Sequence, residues 1–75
     1  MTSLAQLVLG QTAQIIKIGN AGLVTQRLME MGVTPGAQVR YVGAAPLGDP
    51  LEYELRGYRL CMRRTEAEQI QVETL

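Results

Sequence analysis

LEYELRGYRLCMR, residues 51–63, carries the most regular pattern in the chain, and its reading decides the fold. Leu51, Tyr53 and Leu55 alternate with Glu52, Glu54 and Arg56, then Tyr58, Leu60 and Met62 alternate with Arg59, Cys61 and Arg63. A period of two is that of a β-strand with one buried face. If Arg56-Gly57 forms a two-residue turn, Leu55 faces Tyr58, Tyr53 faces Leu60, and Leu51 faces Met62. Glu54 then faces Arg59 and Glu52 faces Cys61 on the outer side. A slip of one residue would turn every apolar side chain outward, so burial itself fixes the register. Arg-Gly is not the strongest pair for a type I′ turn, which leaves a one-residue bulge at Gly57 as the alternative.

Working outward, Ala45-Pro46-Leu47-Gly48-Asp49-Pro50 precedes the hairpin as a braced arch. Two prolines fix φ, remove two backbone donors and push Ala45 and Asp49 toward extended geometry, while Gly48 is free to take positive φ. Leu47 stands at its crown, either as a plug folded into one end of a barrel or as an apolar knob for a partner. Before the arch, AQVRYVGA (37–44) reads as a strand with Val39 and Tyr41 on one face and Arg40 on the other. Val42-Gly43 interrupts the alternation, as a bulge or a bend does. Thr34-Pro35-Gly36 has the residues of a type II turn.

Nearer the start, QTAQIIKIG (11–19) is a β-branched strand of imperfect alternation, with Ile16 and Ile18 on one face and Ile15 and Lys17 on the other. The period changes from Leu23 to Met31, where Val24, Leu28 and Met31 recur at helical spacing opposite Gln26, Arg27 and Glu30. Asn20 is placed to cap this helix and Gly32 to end it. After the hairpin, Thr65 is placed to cap one turn over Glu66, Ala67 and Glu68, and QIQVE (69–73) forms the last strand with Ile70 and Val72 inward. Four or five short strands with one helix after the first make a mainly β fold, a small partly open β-barrel. Seventy-five residues form a single domain, residues 1–75, whose core is too small to divide.

The composition excludes several chemistries. The chain has no histidine, so the commonest general base is missing, and it has no G-x-x-x-x-G-K-[ST] phosphate loop. Its one cysteine, Cys61, has neither a C-x-x-C partner nor a histidine to activate it, which leaves it a small strand residue in a chain suited to a reducing compartment. No enzyme is expected. Seven basic residues balance seven acidic ones, which argues against nucleic acid, since a phosphate backbone calls for a clustered positive surface. Six of the cations are arginine, suited to bidentate recognition of a carboxylate or phosphate on a partner. No apolar run is long enough to span a bilayer, and MTSLAQLVLGQ lacks the basic start of a signal peptide, so a cytoplasmic location is the expectation.

Taken in order, the segments resemble one family. An S-L-x-x-L-x-x-G-Q opening, a helix ending in L-x-E-M-G-x-x-P-G, the A-P-L-G-D-P arch and an R-G-Y-x-L-x-x-R-x-x-E-A ending are similar to the FeoA family over nearly the whole chain. The resemblance implies an SH3-like barrel and a non-catalytic role in bacterial ferrous iron uptake, binding the cytoplasmic part of FeoB, a membrane GTPase permease. Contact with a membrane would then come only through that partner. The partner-binding residues expected on the helix face and loops are Leu23, Arg27, Glu30, Leu47 and Asp49, joined by Arg59 and Arg63. The helix is less basic than is common in the family, with Arg27 alone, and Cys61 stands where Ala or Ser is frequent. An alternative class is an Fe(II)-sensing or other transition-metal-sensing module related to the C-terminal domain of iron-dependent repressors. There Cys61, Glu52 and Asp49 would hold a transient divalent metal. Open barrels also pair through exposed edges, which makes a homo-oligomer an expected assembly.

Overall fold

A computed structural model of the chain describes residues 2–19 and 22–75, apart from the side chain of Val24. Among these residues six strands form one antiparallel sheet: β1 Thr2–Ser3, β2 Thr12–Ile18, β3 Gln38–Ala44, β4 Leu51–Leu55, β5 Tyr58–Met62 and β6 Ile70–Thr74. Their order is β1-β6-β2-β3-β4-β5, so the sheet curls on itself without closing. A 3-10 turn, Leu4–Gln6, follows β1; helix α1, Leu23–Glu30, joins β2 to β3; and a single turn, α2, Arg64–Ala67, joins β5 to β6.

The hairpin takes the register that alternation requires. Leu51 pairs with Met62, Glu52 with Cys61, Tyr53 with Leu60, Glu54 with Arg59 and Leu55 with Tyr58. Arg56 and Gly57 both have positive φ, 51° and 87°, so a two-residue turn closes the hairpin without a bulge. Leu51, Tyr53, Leu55, Leu60 and Met62 are buried, while Tyr58 beside the turn stays partly exposed. Tyr53 is 0% exposed. Its hydroxyl donates to the Leu4 carbonyl oxygen at 3.0 Å, and its ring lies 5.4 Å from that of Tyr41 on β3. Burial pushes the Tyr53 hydroxyl pKa well above its ordinary value, with the neighbouring Tyr41 adding to the rise.

Two interruptions of the alternation prove to be bulges. The β3–β4 register shifts between Tyr41 and Gly43, and the β2–β6 register shifts between Ile15 and Lys17. The second leaves Ile16 as an extra residue, so Ala13 and Ile15 are buried, Ile18 packs against the core, and Ile16 points to solvent. Strict alternation over Ile15 to Ile18 therefore does not hold.

Helix α1 ends in a Schellman motif. The Gly32 N–H donates to the Met29 carbonyl and the Val33 N–H to the Leu28 carbonyl, both at 3.0 Å, with Gly32 at φ 103°. Leu28 and Val33, which such a motif brings together, are both buried. A Cβ at Gly32 would also lie 3.2 Å from the Tyr58 hydroxyl oxygen and 3.3 Å from a Leu55 methyl, so the helix end sits tightly on the hairpin. The Thr34–Ala37 turn closes with a 3.0 Å bond and Gly36 at φ 93°, as a type II turn requires. The expected cap at Asn20 and the packing of Val24 lie outside the described residues. Gly22 occupies the N-cap position and supplies no side-chain bond.

The opening segment is more structured than its sequence signals. Leu4 and Leu7 are buried, and β1 pairs with β6 through Thr2–Val72 and Ser3–Gln71. The Gln6 and Gln11 side chains accept from the Ser3 and Val8 N–H groups, which organises two short turns.

Candidate docking site

The arch between β3 and β4 is held from inside and from outside. Internally, the Gly48 N–H donates to the Ala45 carbonyl at 2.8 Å and the Ala45 N–H to the Pro50 carbonyl at 3.0 Å. Pro46 and Leu47 thus occupy the centre of a turn that Gly48 leaves at φ 90°. Externally, Asp49 Oδ1 accepts from the Arg64 N–H at 2.8 Å, and Arg64 Nη2 donates to the Gly48 carbonyl at 3.2 Å. The first of these satisfies a donor at the start of α2 with a carboxylate brought from fifteen residues away. Thr65, which the sequence places at that cap, instead lies within α2, which begins at Arg64. Glu66 Oε1 accepts from the Arg63 N–H at 2.6 Å and completes the helix start.

Leu47 is 97% exposed at the crown of this braced loop. The plug reading of Leu47 is therefore overturned: the leucine projects into solvent. The prolines and the Asp49 and Arg64 bonds hold the loop in this one arrangement.

A second apolar feature lies on the other side of α2. A groove of about 540 Å³ runs between α1 and the α2–β6 corner, with Ile18, Leu28 and Ile70 at its floor and Leu23, Thr25 and Thr65 among its walls. Leu23 is 84% exposed. Arg27 and Glu30, farther along α1, are also exposed, and neither forms an ion pair among the described residues. Helix α2 touches both features, through Arg64 to the arch and through Thr65 and Glu66 to the groove.

The remaining expected residues lie elsewhere. Arg59, on the outer face of β5, donates to Glu52 Oε2 at 3.3 Å, and Arg63 is exposed where β5 meets α2. Glu52 and Cys61 do face each other across β4 and β5, yet Glu52 is engaged by Arg59 and Asp49 by Arg64. Among the described residues no three Cys, Asp or Glu side chains converge, so the donor set for a metal does not fit. Arg64 is the residue that sequence reading missed. Its neighbour Arg63 drew attention, but nothing local in Arg63-Arg64 indicates a bond to a loop on another strand connection.

The model of the FeoA domain family matches residues 2–74. The chain belongs to the FeoA domain family. The solution structure of the Chlorobium tepidum FeoA protein superposes with a TM-score of 0.92 at 39% identity, over 99% of this chain and 70% of that one. A Stenotrophomonas maltophilia FeoA, described as an SH3 domain protein and complexed with zinc, superposes with a TM-score of 0.85 at 27% identity, over 97% of this chain and 91% of that one. A Fe(2+) transport protein A/Fe(2+) transporter FeoB fusion protein of Porphyromonas gingivalis is 35% identical over 72 residues. That alignment covers 96% of this FeoA domain but 8% of the fusion protein.

Proposed function

We propose that this FeoA domain is a non-catalytic docking module of bacterial ferrous iron uptake, acting in the cytoplasm on the GTPase part of a FeoB-type permease. The observation that carries the reading is the Porphyromonas gingivalis relative, in which a similar segment and a FeoB transporter share one chain. Covalent linkage raises the effective concentration of two modules to about the millimolar range, a useful arrangement for modules that act on each other. The exposed Leu47 on its braced arch and the exposed Leu23 beside the groove provide apolar contacts suited to such docking. Asp49 then serves by holding the arch rather than by touching the partner, while Arg27, Glu30 and Arg63 supply charges at the rim. The metal-sensing alternative has no donor cluster among the described residues to carry it.

An NMR titration of labelled protein with the isolated GTPase domain of FeoB, nucleotide-free and with GDP or a GTP analogue, tests the reading. Shifts confined to residues 23–30 and 47–49 are expected, and their nucleotide dependence would identify the state recognised. Absence of shifts in all three states at saturating concentrations would overturn it.

A further inference from the structure

β5 is the open edge of the sheet, since among the described residues it pairs with β4 alone. In a hairpin closed by a two-residue turn, the pair flanking the turn is hydrogen-bonded and the pairs alternate from there. Leu55–Tyr58, Tyr53–Leu60 and Leu51–Met62 are then the bonded pairs. The peptide groups of Arg59 and Cys61 consequently point away from β4, toward solvent. No loop or turn backbone among the described residues bonds to either. Residues 56–64 hold Arg56, Arg59, Arg63 and Arg64 and no acidic residue, and the carboxylates beside them are Glu52 against Arg59 and Glu66 against the Arg63 N–H. Arg59 is engaged by Glu52 and Arg64 by the arch, whereas Arg56 and Arg63, at the two ends of β5, form no ion pair among the described residues.

We propose that the β5 edge binds an extended acidic peptide segment as an added strand, with its main chain on the Arg59 and Cys61 peptide groups and its carboxylates toward Arg56 and Arg63. The charge selects this occupant over a second copy of the chain. Antiparallel pairing of β5 with itself would crowd two sets of arginines along one seam, whereas carboxylates at the two ends of an added segment complement them. Strand addition supplies affinity through the main chain and selectivity through the flanking side chains. The proposal does not depend on docking by Leu47, which stands on a different connection.

The test is an amide NMR titration with an acetylated, amidated octapeptide, Glu-Thr-Val-Thr-Val-Thr-Val-Glu, whose two carboxylates are spaced along a strand as Arg56 and Arg63 are, and with its counterpart carrying Lys for Glu. The Arg59 and Cys61 amide protons are expected to shift downfield and to exchange more slowly with solvent on adding the acidic peptide. The Lys peptide should bind at least about fivefold more weakly, the loss of two exposed charge pairs. Cys61→Pro removes an outward N–H that β4 does not use, and should abolish the shift at residue 59. Should that variant fail to fold, the double variant Arg56→Glu/Arg63→Glu must reverse the preference between the two peptides, and Leu47→Asp must leave both titrations unchanged. Equal binding of the two peptides, shifts confined to residues 23–30 and 47–49, or concentration-dependent shifts at residues 59 and 61 without peptide would each overturn the proposal, the last by making a second copy the occupant.

Discussion

The β4–β5 hairpin and helix α1 are both amphipathic, yet they spend their apolar residues differently. In the hairpin every inward position from Leu51 to Met62 is buried, apart from Tyr58 beside the turn. In α1, Leu28 is buried, whereas Leu23 and Met29 are exposed, as is Met31 just past the helix. An apolar side chain that packs inside stabilises the fold, and one held outside on a fixed backbone is available to a partner. The hairpin, on this comparison, carries the stability of the molecule, while α1 and the arch carry the exposed apolar residues of the proposed contact surface.

The sharpest way to break the comparison is at Tyr53. Truncation of a fully buried aromatic costs about 3–5 kcal/mol, a large part of the stability of so small a domain, so Tyr53→Ala is expected to unfold the protein in a circular dichroism melt. Tyr53→Phe keeps the packing but orphans the Leu4 carbonyl, and should cost about 1–3 kcal/mol in urea denaturation. The same residue gives a pH dependence. Its folded-state pKa is raised by burial, so the native state keeps a proton that the unfolded state releases above its ordinary value of about 10. Stability therefore falls as pH rises past about 10, and Tyr53→Phe should remove that part of the fall.

Gly32→Ala comes next. It places a Cβ at φ 103° and against both Tyr58 and Leu55, so it combines backbone strain with a clash at the point where α1 meets the hairpin. A loss of about 1–2 kcal/mol in urea denaturation is expected. An unchanged midpoint would mean that α1 is not anchored there and that the contrast between the two regions is drawn too sharply. Asp49→Ala removes the carboxylate at the α2 N-terminus and should cost about 0.5–2 kcal/mol, with faster hydrogen exchange at the Arg64 amide as its local signature.

The same contrast explains what the sequence disclosed. The hairpin was legible to the residue pair because its register follows from a period of two and one turn, and the Gly32 and Pro35-Gly36 signals act over a few residues. The bulge at Ile16 was not legible, since Ile15-Ile16-Lys17-Ile18, three isoleucines and one long lysine, offers two phases with equal local cost. β1 was missed because two residues carry no period at all. At the arch, stiffness was legible from Pro46, Gly48 and Pro50, but the direction of Leu47 was not. That direction depends on bonds from Asp49 and Gly48 to Arg64, and such a contact leaves no trace in local spacing.

Leu47→Asp is the substitution expected to disturb the fold least and the partner most. The side chain is surrounded by solvent, so its replacement removes no packing, and surface changes of this kind stay within about 0.5 kcal/mol. Its neighbours Pro46 and Gly48 retain the turn, and Asp49 keeps its bond to the Arg64 N–H. A carboxylate at the crown would instead have to be desolvated when the partner closes over it, at a cost well above that of losing one apolar contact. An unchanged urea midpoint together with a loss of about tenfold or more in affinity for the FeoB GTPase domain would assign the arch to recognition. A drop in the midpoint comparable to that of Gly32→Ala would return Leu47 to the side of the hairpin, as a residue the fold itself requires.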